Sequence, residues 1–350
     1  MKPKSNIGKN LIWNVISLLL AILTILMLLK QSEALSVDEL LAAINASNKV
    51  YLALGIIAAA LYVWLEGVAI RSILKYTGYA RKPLNGLLYS TADVYFSAVT
   101  PSATGGQPAS AFFMMRDGIP GEVTAAVLVL NLMMYTVSVV VLGVLSLIIS
   151  PGAFAGFGGV SRVFVVIGFI VLSVLSLLFF VLLKKGDSVT EPAAKFLTFL
   201  YDKKIIREKE KKLARLEKAG SDYKKCSDMI SGRKRVLFWA FVWNFAQRAS
   251  QLAVPMLIYR ALGGAGSNMA QIFSKQCLVT IGYNFVPVPG GIGISDYLML
   301  DAFDGVMGTT MSYSVELISR GITFYFCVMV SAVITLIGYF AGRNADDRRI

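Results

Sequence analysis

Val99-Thr100-Pro101-Ser102-Ala103-Thr104-Gly105-Gly106-Gln107-Pro108-Ala109-Ser110 interrupts one long apolar region of this chain, and Phe285-Val286-Pro287-Val288-Pro289-Gly290-Gly291-Ile292 interrupts another. Proline removes a backbone donor and glycine loosens a helix, so neither cluster suits the middle of a regular membrane helix. Bare backbone at that depth is tolerated only where protein buries it or where it lines a wet cavity. Breaks at corresponding places in two halves of a membrane protein mark a binding site in transporters. The two clusters read as rough counterparts: Pro101, Gly105, Gly106 and Ser110 against Pro287, Gly290, Gly291 and Ser295, with different spacings.

The composition around these breaks is that of a helical membrane protein. Hydrophobic residues make up 56% of the 350, and several apolar runs reach the roughly 20 residues that cross a bilayer. The chain has no histidine, which excludes a Ser-His-Asp triad, a Cys-His pair and a histidine-ligated metal within it. Cys226, Cys277 and Cys327 form no C-x-x-C pair and read as free thiols. No metal or other cofactor is expected.

Charge bias orients the spans. Lys2, Lys4 and Lys9 precede a first span over 11–29, too long for the apolar core of a secretory signal. The positive-inside rule places that N-terminus in the cytoplasm. A second span, 50–70, returns to Arg71, Lys75, Arg81 and Lys82; two more cover 125–149 and 163–183, the latter ending at Lys184 and Lys185. The stretch 84–115 then begins and ends inside and must turn back, with its turn at 100–108. In the other half, 236–259 leads out, and 318–339 leads back before Arg343, Arg348 and Arg349. The stretch 260–316 begins and ends outside and turns at 287–291. The fold expected is an all-α polytopic membrane protein with about six full spans plus two re-entrant broken hairpins, one entering from each face as an inverted repeat. Residues 1–350 form one integral membrane domain.

The net charge is +13. Residues 184–235 hold 16 Lys and Arg against 8 Asp and Glu, a basic cytoplasmic helical segment rich in good helix formers. It reads as a solvated connector, as a helix lying on anionic lipid, or as a partner helix.

The stretch 100–108, followed by Gly118-Ile119-Pro120, and the later Pro287-Val288-Pro289-Gly290-Gly291-Ile292-Gly293-Ile294-Ser295-Asp296 resemble the two signatures of the membrane region of bacterial lysylphosphatidylglycerol synthases, the multiple peptide resistance factors. The resemblance runs from the first span to the last. It implies a bacterial cell (inner) membrane protein, cytoplasmic at both termini, connected with moving aminoacylated phosphatidylglycerol between leaflets and so with resistance to cationic antimicrobial peptides. Family members carry a separate soluble synthase domain that transfers lysine from lysyl-tRNA, and no such domain is visible in this chain. Two positions depart from the pattern: Gln107 stands where many relatives have Glu, and Asp296 where Glu is usual.

The candidate lipid-binding residues are Pro101, Gly105, Gly106, Gln107, Ser110, Arg248, Asn284, Pro287, Pro289, Gly290, Gly291, Ser295 and Asp296. Half-helix N-termini at the breaks suit an anionic group such as phosphate, and the neutral polar side chains add hydrogen bonds. Ionisable residues inside spans are costly and face the interior. Glu66 and Asp93 are therefore expected either to handle a cationic headgroup or protons, or to pair with Arg248 as an internal fixture. Lys275 and Arg320 read as snorkelling side chains near the outer face. The first functional reading is a translocase of anionic or aminoacylated phospholipid. The alternatives are phosphatidylglycerol lysyltransferase, the only case in which tRNA would be a partner, and a scaffold for a separately encoded synthase.

Overall fold

The computed structural model describes residues 37–100, 105–184, 234–286, 291 and 293–346. The first expected span, Pro101, Pro287, Pro289, Gly290 and all but the ends of the basic 184–235 segment lie outside these residues. The described residues form helices and connecting turns. A short helix, α1 (Val37–Ala46), precedes α2 (Lys49–Tyr76). The Asn48 side chain caps α2 by accepting from Val50 N at 3.0 Å, which satisfies one of the orphan donors of a helix start. The next helix, α3 (Pro83–Val99), begins with Pro83, whose missing N–H costs nothing in a first turn. After the first break come α4 (Gly106–Arg116), α5 (Gly121–Ile149) and α6 (Gly159–Lys184).

The second half opens with α7 (Lys234–Leu252) and α8 (Val254–Ala261). Sequence reading takes these as one span over 236–259, but the helix breaks at Ala253. Pro255 can neither donate to nor clear the carbonyl four residues before it. Two arms, α9 (Met269–Tyr283) and α10 (Ile294–Met307), flank the second break. The last helix, expected over 318–339, starts earlier. It runs as α11 (Thr309–Arg320), a π-helical stretch Gly321–Phe326, and α12 (Cys327–Asp346). Gly308, at φ 75°, turns the chain between α10 and α11.

Among the described residues four helices are long and apolar enough to cross a membrane: Lys49–Tyr76, Gly121–Ile149, Gly159–Val181 and Thr309–Ala341. The arms beside the breaks are shorter. At 1.5 Å per residue α3, α4, α9 and α10 are about 25, 16, 22 and 21 Å long, against a hydrocarbon core of about 30 Å. Each arm is thus shorter than that core is thick. The arms of the first hairpin, α3 and α4, pack on each other and against α2, α5 and α12. Those of the second, α9 and α10, pack on each other and against α5, α6, α8 and α11. Helix α7 packs along both α2 and α5. By contrast α6 leaves Val163, Val166, Ile170, Val174 and Leu177 exposed. An apolar face of that extent belongs against lipid.

The apolar interior divides into two principal clusters. One includes Ile70, Tyr89, Met114, Val127 and Ala240, and the other Val63, Ile258, Leu278, Leu298 and Phe303. On α2, Glu66 falls between Val63 of one cluster and Ile70 of the other, and this polar interval holds the site.

Candidate functional site

Four helices bring polar groups to this interval. Glu66 on α2 and Asp93 on α3 are 6% and 8% exposed, and their carboxyls lie within hydrogen-bonding reach of each other. Gln247 on α7, 1% exposed, donates from Nε2 to Glu66 Oε2 at 3.2 Å. Gln107 on α4 donates from Nε2 to Asp93 Oδ2 at 3.3 Å, and Ser97 Oγ donates to Asp93 Oδ1 at 3.2 Å. An acid in such a place persists only with hydrogen bonds of this kind.

The first hairpin closes on these groups through glycine. A Cβ on Gly106 would fall 1.8 Å from Asp93 Oδ1 and 2.0 Å from Ser97 Oγ. Gly105 N donates to Thr100 Oγ1 at 2.8 Å, and a Cβ there would meet Thr100 Cγ2 at 2.5 Å. The Asp93 carboxylate therefore rests against the N-terminus of α4, where the helix dipole favours negative charge. The protein supplies its own anion at one of the helix starts that sequence reading offers to a phosphate. Ser110, fully buried on α4, has a hydroxyl with no hydrogen-bond partner.

Arg248 follows Gln247 on α7. Its guanidinium lies 3.9 Å from the Tyr135 ring centre and 5.2 Å from that of Tyr62. Its Nη1 donates to Gln251 Oε1 at 2.6 Å, and its buried Nε has no partner. The contact ion pair with Glu66 or Asp93 that sequence reading weighs is not formed. Arg248 is near enough to attract both acids but is held by aromatic faces and an amide instead. Tyr135 extends the path: its hydroxyl donates to Asn284 Oδ1 at 2.6 Å, at the end of α9. A row of polar groups thus runs from Gln107 in the first hairpin, past Asp93, Glu66, Gln247, Arg248 and Tyr135, to Asn284 in the second.

The second break also places a carboxylate at the start of its second arm, here from that arm itself. Gly293, at φ 85°, starts α10, and Asp296 Oδ2 accepts from its N–H at 2.8 Å. Asp296 also forms an ion pair with Arg320, which donates to Ser295 Oγ at 3.0 Å and lies 3.8 Å from Glu316. Gly291, at φ 66°, has no room for a side chain, since a Cβ would meet Tyr283 Cδ2 at 2.8 Å. Each hairpin therefore has its own carboxylate at the start of its second arm, Asp93 in one and Asp296 in the other.

Two basic residues differ from their sequence reading. Lys275 is 1% exposed and Arg320 is engaged with acids, so neither snorkels. Sequence reading does not single out Gln247, Tyr135 or Tyr62. The cluster of polar residues Gln247, Arg248 and Gln251 in one helix is the one signal available for the first; the tyrosines carry none.

The profile of one protein family, described as the lysylphosphatidylglycerol synthase TM region, matches residues 14–331. No curated protein matches the chain.

Proposed function

We propose that this chain, which belongs to the lysylphosphatidylglycerol synthase TM-region family and is a multi-pass membrane protein, carries a phospholipid headgroup between the leaflets. The observation behind this reading is the polar row that joins the two broken hairpins through the bundle. Arg248 takes the phosphate. Its guanidinium is aligned by two tyrosine faces and keeps an unmatched buried donor, and a buried donor left unpaired is costly. Glu66 and Asp93 take the positive charge of an aminoacyl group. Two acids beside one arginine complement a headgroup that carries one phosphate and one or two ammonium groups. The acyl chains stay outside, in lipid, while only the headgroup crosses the row. Helix ends near the breaks keep backbone groups available along the way.

Reconstitution into vesicles with fluorescent phosphatidylglycerol or lysylphosphatidylglycerol tests the reading. Wild-type protein is expected to expose inner-leaflet lipid to an external quencher faster than protein-free vesicles. Arg248→Met keeps an unbranched apolar stem but removes the phosphate contact. It is expected to slow this exposure by about tenfold or more, the equivalent of one charge-assisted hydrogen bond. Wild-type vesicles that leave the lipid in place would overturn the reading. Lysine incorporated into lipid from lysyl-tRNA by the purified chain would favour the transferase instead.

A further inference from the structure

The turn between α5 and α6 is exposed at Pro151, Gly152, Ala155 and Gly156 but sends two side chains into the bundle. Ala153 and Phe157 within it are 0% and 2% exposed. It is held from beneath by the two arms of the second hairpin. Gly158 N donates to Asp301 Oδ2 on α10 at 2.8 Å. Lys275 on α9 reaches the carbonyl of Gly156 at 3.5 Å and lies 5.2 Å from the centre of the Phe157 ring. Lys275 and Asp301 also attract one another. From the other side, Arg162 of α6 donates to Phe157 O at 2.8 Å and to Ala155 O at 2.6 Å. The fit depends on glycine: a Cβ on Gly156 would lie 2.6 Å from Lys275 Nζ, and one on Gly158 would lie 2.8 Å from Asp301 Oδ1.

The depth of these anchors is informative. Lys275 is six residues in from the start of α9, and Asp301 is six residues before the end of α10. Each is about 9 Å below its arm's end. Two opposite charges at matching depth, one on each arm, are therefore covered by a single loop. Lys275 has three donors, and one long hydrogen bond and a ring face are its partners. Lys275 is buried and Asp301 half-buried, and charges held this lightly cost little to release into water compared with a fully bonded buried pair.

We propose that the 150–158 loop is a strap closing one end of the second hairpin, latched by Asp301 and Lys275, and that it lifts to open that end to water. The inference rests on the transport reading, in which a headgroup must leave the polar row at Asn284 by this end. With the strap down, the arms are clamped and the exit is covered. With the strap up, Lys275 and Asp301 line the mouth, where they can be hydrated.

A buried reporter tests the strap. Ala153→Cys is made in full-length protein whose native thiols are removed (Cys226→Ser, Cys277→Ala, Cys327→Ala) and reconstituted in phosphatidylglycerol vesicles. Labelling by a membrane-impermeant maleimide is compared with that of Gly152→Cys, the exposed neighbour. The strap predicts slow labelling at 153 and fast labelling at 152. Adding Asp301→Asn, or separately Lys275→Met, is expected to speed labelling at 153 by roughly ten- to a hundredfold, as for loss of a charged hydrogen bond, with 152 unchanged. Two latch variants are used so that a folding failure in one leaves the other informative. Labelling at 153 as fast as at 152 in the parent, or unchanged in a folded latch variant, would overturn the proposal. The readout needs no lipid movement, so its failure is distinct from failure of the transport assay.

Discussion

At the scale of single residues, the site depends on what is missing at Gly106. The space for a Cβ is filled by the Asp93 carboxylate and the Ser97 hydroxyl, so Gly106→Ala must push α4 from α3 or displace the acid. Overpacking of this kind costs about 1–3 kcal/mol, and a lowered thermal transition of the detergent-purified protein is the expected result. Gly121→Ala is the control: its Cβ would meet only Met115 Sδ at 3.6 Å, and a shift within about 0.5 kcal/mol is expected. Gln107 makes a second prediction. Its amide donates to Asp93, so Gln107→Glu replaces a donor with a like charge. An added acid favours a more cationic headgroup, and the ratio of lysylphosphatidylglycerol to phosphatidylglycerol transport should rise, measured in the same vesicles. The sequence made Gln107 and Asp93 visible as polar residues in apolar surroundings. It could not pair them, because their contact is set by how far α4 folds back along α3.

Among elements, the second hairpin is anchored by one ion pair with two functions. Asp296 caps the start of α10 and holds Arg320, the last residue before the π-helical stretch. Removing one partner of a buried pair commonly costs about 3–5 kcal/mol, whereas replacing both with apolar groups is often near neutral. Asp296→Leu alone should therefore destabilise the purified protein more than Asp296→Leu combined with Arg320→Leu. Glu316, 3.8 Å from Arg320, keeps the single variant toward the lower end of that range. Thermal unfolding of the two variants side by side checks the order. The breaks themselves were legible, since proline and glycine in apolar sequence have few other meanings there. The division at Ala253 was equally available from Pro255 but is masked by the apolar run around it. The early start of the last long helix was hidden because Thr309–Arg320 is polar enough to read as a loop.

For the whole molecule, the bundle encloses a polar row between two apolar clusters, with a broken hairpin at each end of the row. Periodicity and charge bias give the class of fold and the position of both hairpins. They do not give the row, which needs Tyr135 of α5 to meet Asn284 beyond α9 and Gln247 of α7 to meet Glu66 of α2. Such contacts join residues more than a hundred positions apart and leave no local pattern. Lys275 shows the same limit: a lysine expected near the outer face reads as snorkelling until the 150–158 loop is seen to fold down over it. The central claim is that a headgroup travels inside the bundle along this row. A phosphatidylglycerol bearing a photoactivatable headgroup, crosslinked to the reconstituted protein and mapped by mass spectrometry, tests it most directly. The account predicts adducts on Tyr62, Tyr135, Gln247 and Asn284 that are lost in Arg248→Met; adducts confined to the lipid-facing side chains of α6, such as Val166, Ile170 and Val174, would contradict it.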